Sequence, residues 1–185
     1  MKNTVTRNQI KFPMIVAILL LWVLPSTAQQ IAVKTNALTD LGMLPNLGVE
    51  LTVGEKSSIE FALTGTITEP WGQDFSTTVG SFQYRYWMPQ RALTQLFFGV
   101  GAKAGSYQLN KKNSLCEGDF AVAELVGGWA WPIAKRWNLE FSYGFGLLMR
   151  HQYEKEFASE AKVMPNVKCD IATTTLGVSI VYIIK

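Results

Sequence analysis

The chain has 185 residues, 48% of them hydrophobic and 17% charged, with two cysteines and a formal net charge of +3 at pH 7. This length suits one domain, and the composition excludes a disordered chain and a disulfide-dense scaffold. The positive excess sits at the front, where Lys2, Arg7 and Lys11 face no acidic residue before position 29; the remainder is near neutral and carries no basic stripe of the kind that binds nucleic acid.

Residues 1–28 read as a cleaved signal peptide. The three basic side chains precede an unbroken apolar run, Met14 to Leu24, and Pro25-Ser26-Thr27-Ala28 supplies small residues for cleavage after Ala28. The run falls short of the roughly 20 residues that cross a bilayer as a helix. No cysteine follows it, which argues against a lipoprotein. Later in the chain no apolar stretch reaches helical spanning length. The longest, Leu125 to Ala134, contains two glycines and a proline.

Residues 29–185 are instead written in alternation. Eight strands are predicted, near 30–38, 46–54, 56–66, 79–88, 94–107, 119–131, 136–149 and 172–184. In Trp137-Asn138-Leu139-Glu140-Phe141-Ser142-Tyr143-Gly144-Phe145-Gly146-Leu147 every odd position is large and apolar, and every even one is polar or glycine. Successive side chains of a strand point to opposite faces, so such a segment has one apolar and one polar face. Little sequence remains to form a separate core. A sheet closed on itself with its apolar face in lipid satisfies both the side chains and the backbone.

The polar phase holds Lys34 and Asn36, then Glu50 and Thr52, Glu60 and Thr64, Gln83 and Arg85, Lys103, Glu124, Glu140 and Ser142, and finally Thr173, Thr175, Gly177 and Ser179. Three basic residues (Lys34, Arg85, Lys103) thus accompany four acidic ones (Glu50, Glu60, Glu124, Glu140). Buried charges persist only when paired, so these seven are expected to form an ion-pair network filling the lumen. The opposite phase (Val33, Val49, Leu51, Phe61, Leu63, Phe82, Tyr84, Phe98, Val100, Leu125, Phe141, Tyr143, Val178, Ile180) forms the lipid-facing band.

Connections alternate in length. Those at 54–55, 89–91 and 132–135 are short. Those at 39–45, 67–78, 108–118 and 150–171 are longer, and the last has a possible short helix from Glu154 to Val163. Outer-membrane barrels have short periplasmic turns and longer outer loops. Trp87, Trp131, Trp137 and Tyr182 lie beside the short turns or the C-terminus and are expected to form an interface girdle on that side. Tyr107, Phe120 and Tyr153 are expected to form the outer one.

Few residues suggest chemistry. Cys116 and Cys169 fall in the third and fourth longer connections, which makes one disulfide plausible in an exported chain. The lone His151 lies at the outer end of the seventh strand. A hydrolase would need a nucleophile within its reach and an acid to orient it; Ser114, Ser159 and Glu154 are the candidates, though no spacing demands them. The run Gly99-Val100-Gly101-Ala102-Lys103-Ala104-Gly105 lacks the spacing and following helix of a phosphate loop; its glycines are expected to make room inside a narrow barrel. No catalytic constellation, cofactor or metal site is expected.

Val33-Lys34-Thr35-Asn36-Ala37-Leu38 followed by Pro45-Asn46-Leu47-Gly48-Val49-Glu50 resembles the small outer-membrane barrels of Bacteroidales grouped as the DUF3575 family, a domain of unknown function. So do Tyr84-Arg85-Tyr86-Trp87, Phe97-Phe98-Gly99 with Gly105-Ser106-Tyr107, and Gly144-Phe145-Gly146. The resemblance implies an outer-membrane barrel and brings no activity with it. The expected protein is therefore all-β: an eight-stranded antiparallel up-and-down transmembrane β-barrel with a plugged interior, located in the bacterial outer membrane. Its expected role is structural or one of surface interaction, with loops 67–78, 108–118 and 150–171 outside the cell. Expected partners are outer-membrane lipids and lipopolysaccharide, the barrel-insertion machinery and an envelope or surface protein, with no nucleic acid, and the chain itself a monomer. The alternatives are an outer-leaflet lipid hydrolase or acyltransferase using His151, and a narrow pore.

Overall fold

The computed structural model of the chain describes residues 30–66, 74–88, 91–111, 114–156 and 166–184, without the side chains of 111, 114, 115, 152–156, 166 and 167. The segment 1–28, expected to be a signal peptide, lies outside them. Among the described residues the elements run β1 (Ile31–Asn36), α1 (Ala37–Leu41), β2 (Asn46–Thr52), β3 (Ser57–Gly65), β4 (Phe75–Trp87), β5 (Gln95–Lys111), β6 (Ser114–Ala134), β7 (Trp137–Glu156) and β8 (Asn166–Ile183). Each strand pairs antiparallel with the next, and β1 pairs with β8, so the sheet closes into a ring.

The ring is staggered. One register row runs from Lys34 through Gly48, Ala62, Ser81, Lys103, Val122 and Leu148 and arrives at Asp170 on β8. Lys34 itself pairs with Val181, eleven residues further along that strand. One of the eleven is a bulge at Thr174, where Gly144 pairs with Thr175 but Phe145 with Thr173. A stagger of this size tilts eight strands by about 40° from the ring axis.

Strand lengths are unequal. β1, β2 and β3 have 6, 7 and 9 residues, whereas β5 to β8 have 17, 21, 20 and 18. The expected loops at 108–118 and 150–171 are therefore largely strand: β5 and β6 pair up to Lys111–Ser114, and β6 and β7 up to Ser114–Glu156. Glu154 to Glu156 continue β7, and 157–165 lie outside the described residues. Of loop 67–78, residues 67–73 (with Trp71) are likewise outside, and Phe75 opens β4. The connection at 39–45 contains α1, capped by Asn36, whose side chain accepts from the Leu38 N–H at 3.1 Å.

The alternation sorts the two faces. Val49, Phe61, Leu63, Phe82, Tyr84, Phe98, Val100, Leu125, Phe141, Tyr143 and Ile180 are exposed on the outside, while Lys34, Glu50, Glu60, Arg85, Glu124, Glu140 and Ser179 are buried on the inside. The bulge adds one departure: Thr174 and Thr175 both turn inward, and Thr173 turns outward to meet the Tyr143 hydroxyl at 3.1 Å. Bulky interior side chains lie over glycines on neighbouring strands. A Cβ at Gly128 would meet the Phe97 ring at 2.6 Å, and one at Gly101 would meet Gln83 Cγ at 2.8 Å. That bears out the reading of the Gly99–Gly105 run as space for its neighbours.

Candidate functional site

The interior is layered. At the short-turn end an apolar plug closes the ring: Ala32, Trp87, Ala92, Leu93, Phe97, Val126, Ala130 and Val181. The turn from β4 to β5 supplies part of it. Leu93, at φ 64°, is carried under the ring, where its carbonyl accepts from Asn138 Nδ2 at 2.6 Å and Ala92 N–H donates to Glu55 O at 2.9 Å. Trp87 corrects an expectation. It is fully buried, stacks on Phe97 at 4.8 Å and donates from Nε1 to Ser58 Oγ at 2.8 Å, so it is a plug residue and not a girdle residue. Trp131 and Trp137 are exposed on the outer face beside the short turns, and Tyr182 packs on Trp137 at 4.8 Å. Tyr107 and Phe120 point inward, as the contacts of their rings with the Gly118 and Gly105 positions show, and so form no outer girdle. The side chain of Tyr153 is outside the described set.

Above the plug lies a sealed layer of charge. Lys34 Nζ is 3.3 Å from Glu50, 2.7 Å from Glu60 and 2.9 Å from Glu140. Arg85 reaches Glu50 at 3.3 Å, Glu140 at 3.0 Å, and Glu60. Its remaining N–H groups go to Gln83 Oε1 at 3.0 and 2.7 Å, and its guanidinium carbon sits 4.5 Å from the Phe97 centroid, joining this layer to the plug. Ser58 donates to Glu50 at 2.5 Å. Four strands on one side of the ring and β7 on the other thus meet at two cations.

Lys103 and Glu124 form a second, separate pair at 3.2 Å. Lys103 also donates to Thr174 O at 2.8 Å and Thr175 Oγ1 at 2.5 Å, and Glu124 accepts from Thr174, Thr175 and Gln83 Nε2 at 2.6, 2.7 and 2.9 Å. The structure therefore brings all seven expected charges inside, as a cluster of five and a pair bridged by Gln83. Sequence reasoning missed Gln83, Ser58 and the two threonines as members, because neutral side chains give no signal beyond parity.

The ring is not filled to the top. Above the charges a cavity of about 390 Å³ is bounded by side chains from every strand and by Thr39 of α1. The expected plug is thus confined to the short-turn half of the interior.

The two cysteines do not form a bridge. Cys116 is buried on the inner face of β6, and Cys169 is exposed on the outer face of β8. Their register partners on β7, the strand between them, are Glu154 and Met149. A disulfide needs Cα atoms within about 7 Å and converging Cβ vectors; a whole strand intervenes here and the vectors diverge. Two thiols are expected by mass after denaturing alkylation without reductant. On the folded protein a maleimide should modify Cys169 far faster than Cys116.

His151 lies on the outer phase of β7, level with Asp119 on β6 and Ser106 on β5. A nucleophile–base–orienter chain needs the imidazole in the middle. Here the carboxylate is in the middle, and Ser106 is two strands, about 10 Å, away. Ser159 lies outside the described residues, as do the side chains of Ser114 and Glu154. Among the described residues no three His, Cys, Asp or Glu side chains are grouped to hold a metal.

A family model described as a protein of unknown function (DUF3575) matches residues 14–184. No curated protein and no solved structure matches the chain.

Proposed function

The chain belongs to this family of unknown function, DUF3575, and from that premise we propose that it is an integral protein of the bacterial outer membrane, exported by the leader at 1–28, with a structural or surface-interaction role and no enzymatic one. The short turns and the plug face the periplasm, and the tall ends of β5 to β8 face outward.

The outer belt is what supports this reading. On β7 the outward apolar positions run without interruption from Trp137 to Met149. Twelve steps at about 3.3 Å, on strands tilted by about 40°, give a height of about 30 Å, the thickness of a bilayer's hydrocarbon. The belt ends along one register row. Gly80, Ala104, Ala121 and Met149 pair in sequence across β4 to β7, and the next outward row is Thr78, Ser106, Asp119 and His151. An apolar exterior of this extent in water would be an association surface far beyond what monomeric soluble proteins carry.

The plug supports a non-conducting reading over a pore, since Trp87, Leu93 and Phe97 are fully enclosed across the short-turn end. The order Ser106–Asp119–His151 offers no support to a hydrolase.

In a background with both cysteines replaced by serine, Gln108→Cys should react with a membrane-impermeant maleimide on intact cells. Glu55→Cys should react only after the cells are lysed. The protein should need detergent for extraction and show heat-dependent gel mobility. A monodisperse, detergent-free soluble form, or the reverse labelling pattern, overturns the proposal.

A further inference from the structure

The cavity above the charged layer has one apolar and one polar wall. At about 390 Å³ it falls within the range of small-molecule sites. It lies between the charged layer above the plug and Thr39 of α1. One wall is apolar: Val79, Phe120, Val122 and Leu148, from β4, β6 and β7. The opposite wall, from β1, β2 and β8, presents Asn36, Asn46, Thr175 and Ser179; Asn36 is engaged by Leu38, Val178 and Leu176 and Thr175 by Lys103 and Glu124, which leaves Asn46 Oδ1 and the Ser179 hydroxyl for a guest.

The charges below are already spent. The three protons of Lys103 go to Glu124, Thr174 O and Thr175 Oγ1. Lys34 is held by three carboxylates, as is Arg85. An anionic guest would have to break these pairs and would add negative charge beside four carboxylates that face only three cations. A cationic guest would compete with Lys34, Arg85 or Lys103 for carboxylates that each already hold one or more of them. The hydroxyls of Ser81, Ser142 and Ser179 keep capacity. Each carries one donor and two lone pairs, and Ser81, which donates to Ala62 O at 3.3 Å, can still accept.

We propose that this cup binds a neutral saccharide of one or two rings, its C–H face against Phe120, Val122 and Leu148 and its hydroxyls toward the β1–β8 wall. Such a ligand is amphipathic face by face, as the cup is, and asks nothing of the ion pairs.

The test uses the full chain, purified with or without detergent as its solubility requires and checked for β-structure by circular dichroism, with glucose, cellobiose and N-acetylglucosamine as probes and glucuronate and glucosamine as charged controls. Binding is read by saturation-transfer NMR. At least one neutral sugar should bind with a Kd of about 1 mM or tighter, and the charged analogues at least about tenfold more weakly. Val122→Trp, which fills the cup, should weaken binding at least about tenfold; Ala102→Trp, which faces outward on β5, should leave it unchanged. Should Val122→Trp not fold, Val122→Phe reads the same point. The inference is overturned if no neutral sugar binds below about 10 mM, if the charged sugars bind equally well, or if filling the cup changes nothing. The readout needs only the folded ring, so its failure is separable from failure of the membrane placement.

Discussion

Arg85→Met should destabilise the folded ring by about 3–5 kcal/mol, the cost of breaking a buried ion pair from one side. The arginine is fully enclosed, and its removal leaves Glu50, Glu60 and Glu140 around Lys34 alone. It also strands Gln83 Oε1, which accepts from Arg85 Nε and Nη2, and empties space against the Phe97 ring. Glu140 receives two hydrogen bonds from Arg85, at 3.0 and 3.1 Å, so Arg85→Met with Glu140→Gln should recover part of the loss. Urea titration of refolded protein in detergent, followed by heat-dependent gel mobility, measures both. A single-variant loss below about 1 kcal/mol, or a double variant equal to the sum of its parts, would show that the cluster does not act as one unit.

Leu125→Arg should cost about 2–4 kcal/mol, the penalty for arginine on the lipid face near the bilayer midplane. Leu125 is 53% exposed in the middle of β6. If water bathed it, the substitution would fall within about 0.5 kcal/mol of neutral, as surface changes usually do. Ser106→Arg, beyond the row where the belt ends, should fall within that small range. The contrast between the two, measured by the same titration in lipid bilayers, distinguishes hydrocarbon from water around the ring without reference to any partner. Equal effects at the two positions would remove the basis for membrane placement.

The inner and outer faces were legible in the sequence because a strand's side-chain period is two and does not drift. Once Glu140 and Phe141 are set on opposite faces, parity carries along β7. The same rule settles three residues whose type alone suggests a girdle. Trp87 shares parity with Arg85, Tyr107 with Lys103, and Phe120 with Glu124, so all three had to point inward. An aromatic ring near a strand end suits a membrane interface and a plug equally well, and only phase separates the two uses. The strand ends were illegible for a different reason. Above the belt the outer positions Ser106, Gln108, Glu117 and Asp119 become polar. Alternation disappears while the backbone ladder continues, so the strands read as loops. The bulge at Thr174 left no trace at all in the sequence. It reverses the parity of β8 beyond it and puts Cys169 outside, on the opposite face from Cys116.

Unequal wall height has a consequence for neighbours. The staves β1 to β3 stop at 6 to 9 residues, whereas β5 to β8 run to 17 or more. Among the described strands, the entrance is cut on a slant, like the lip of a scoop. On the low side the described wall ends at α1, whose Thr39 borders the cavity, so this short helix stands where the strands are shortest. If the ring sits in a membrane as proposed, a neighbour on that flank would press on α1 before it met the cavity's walls.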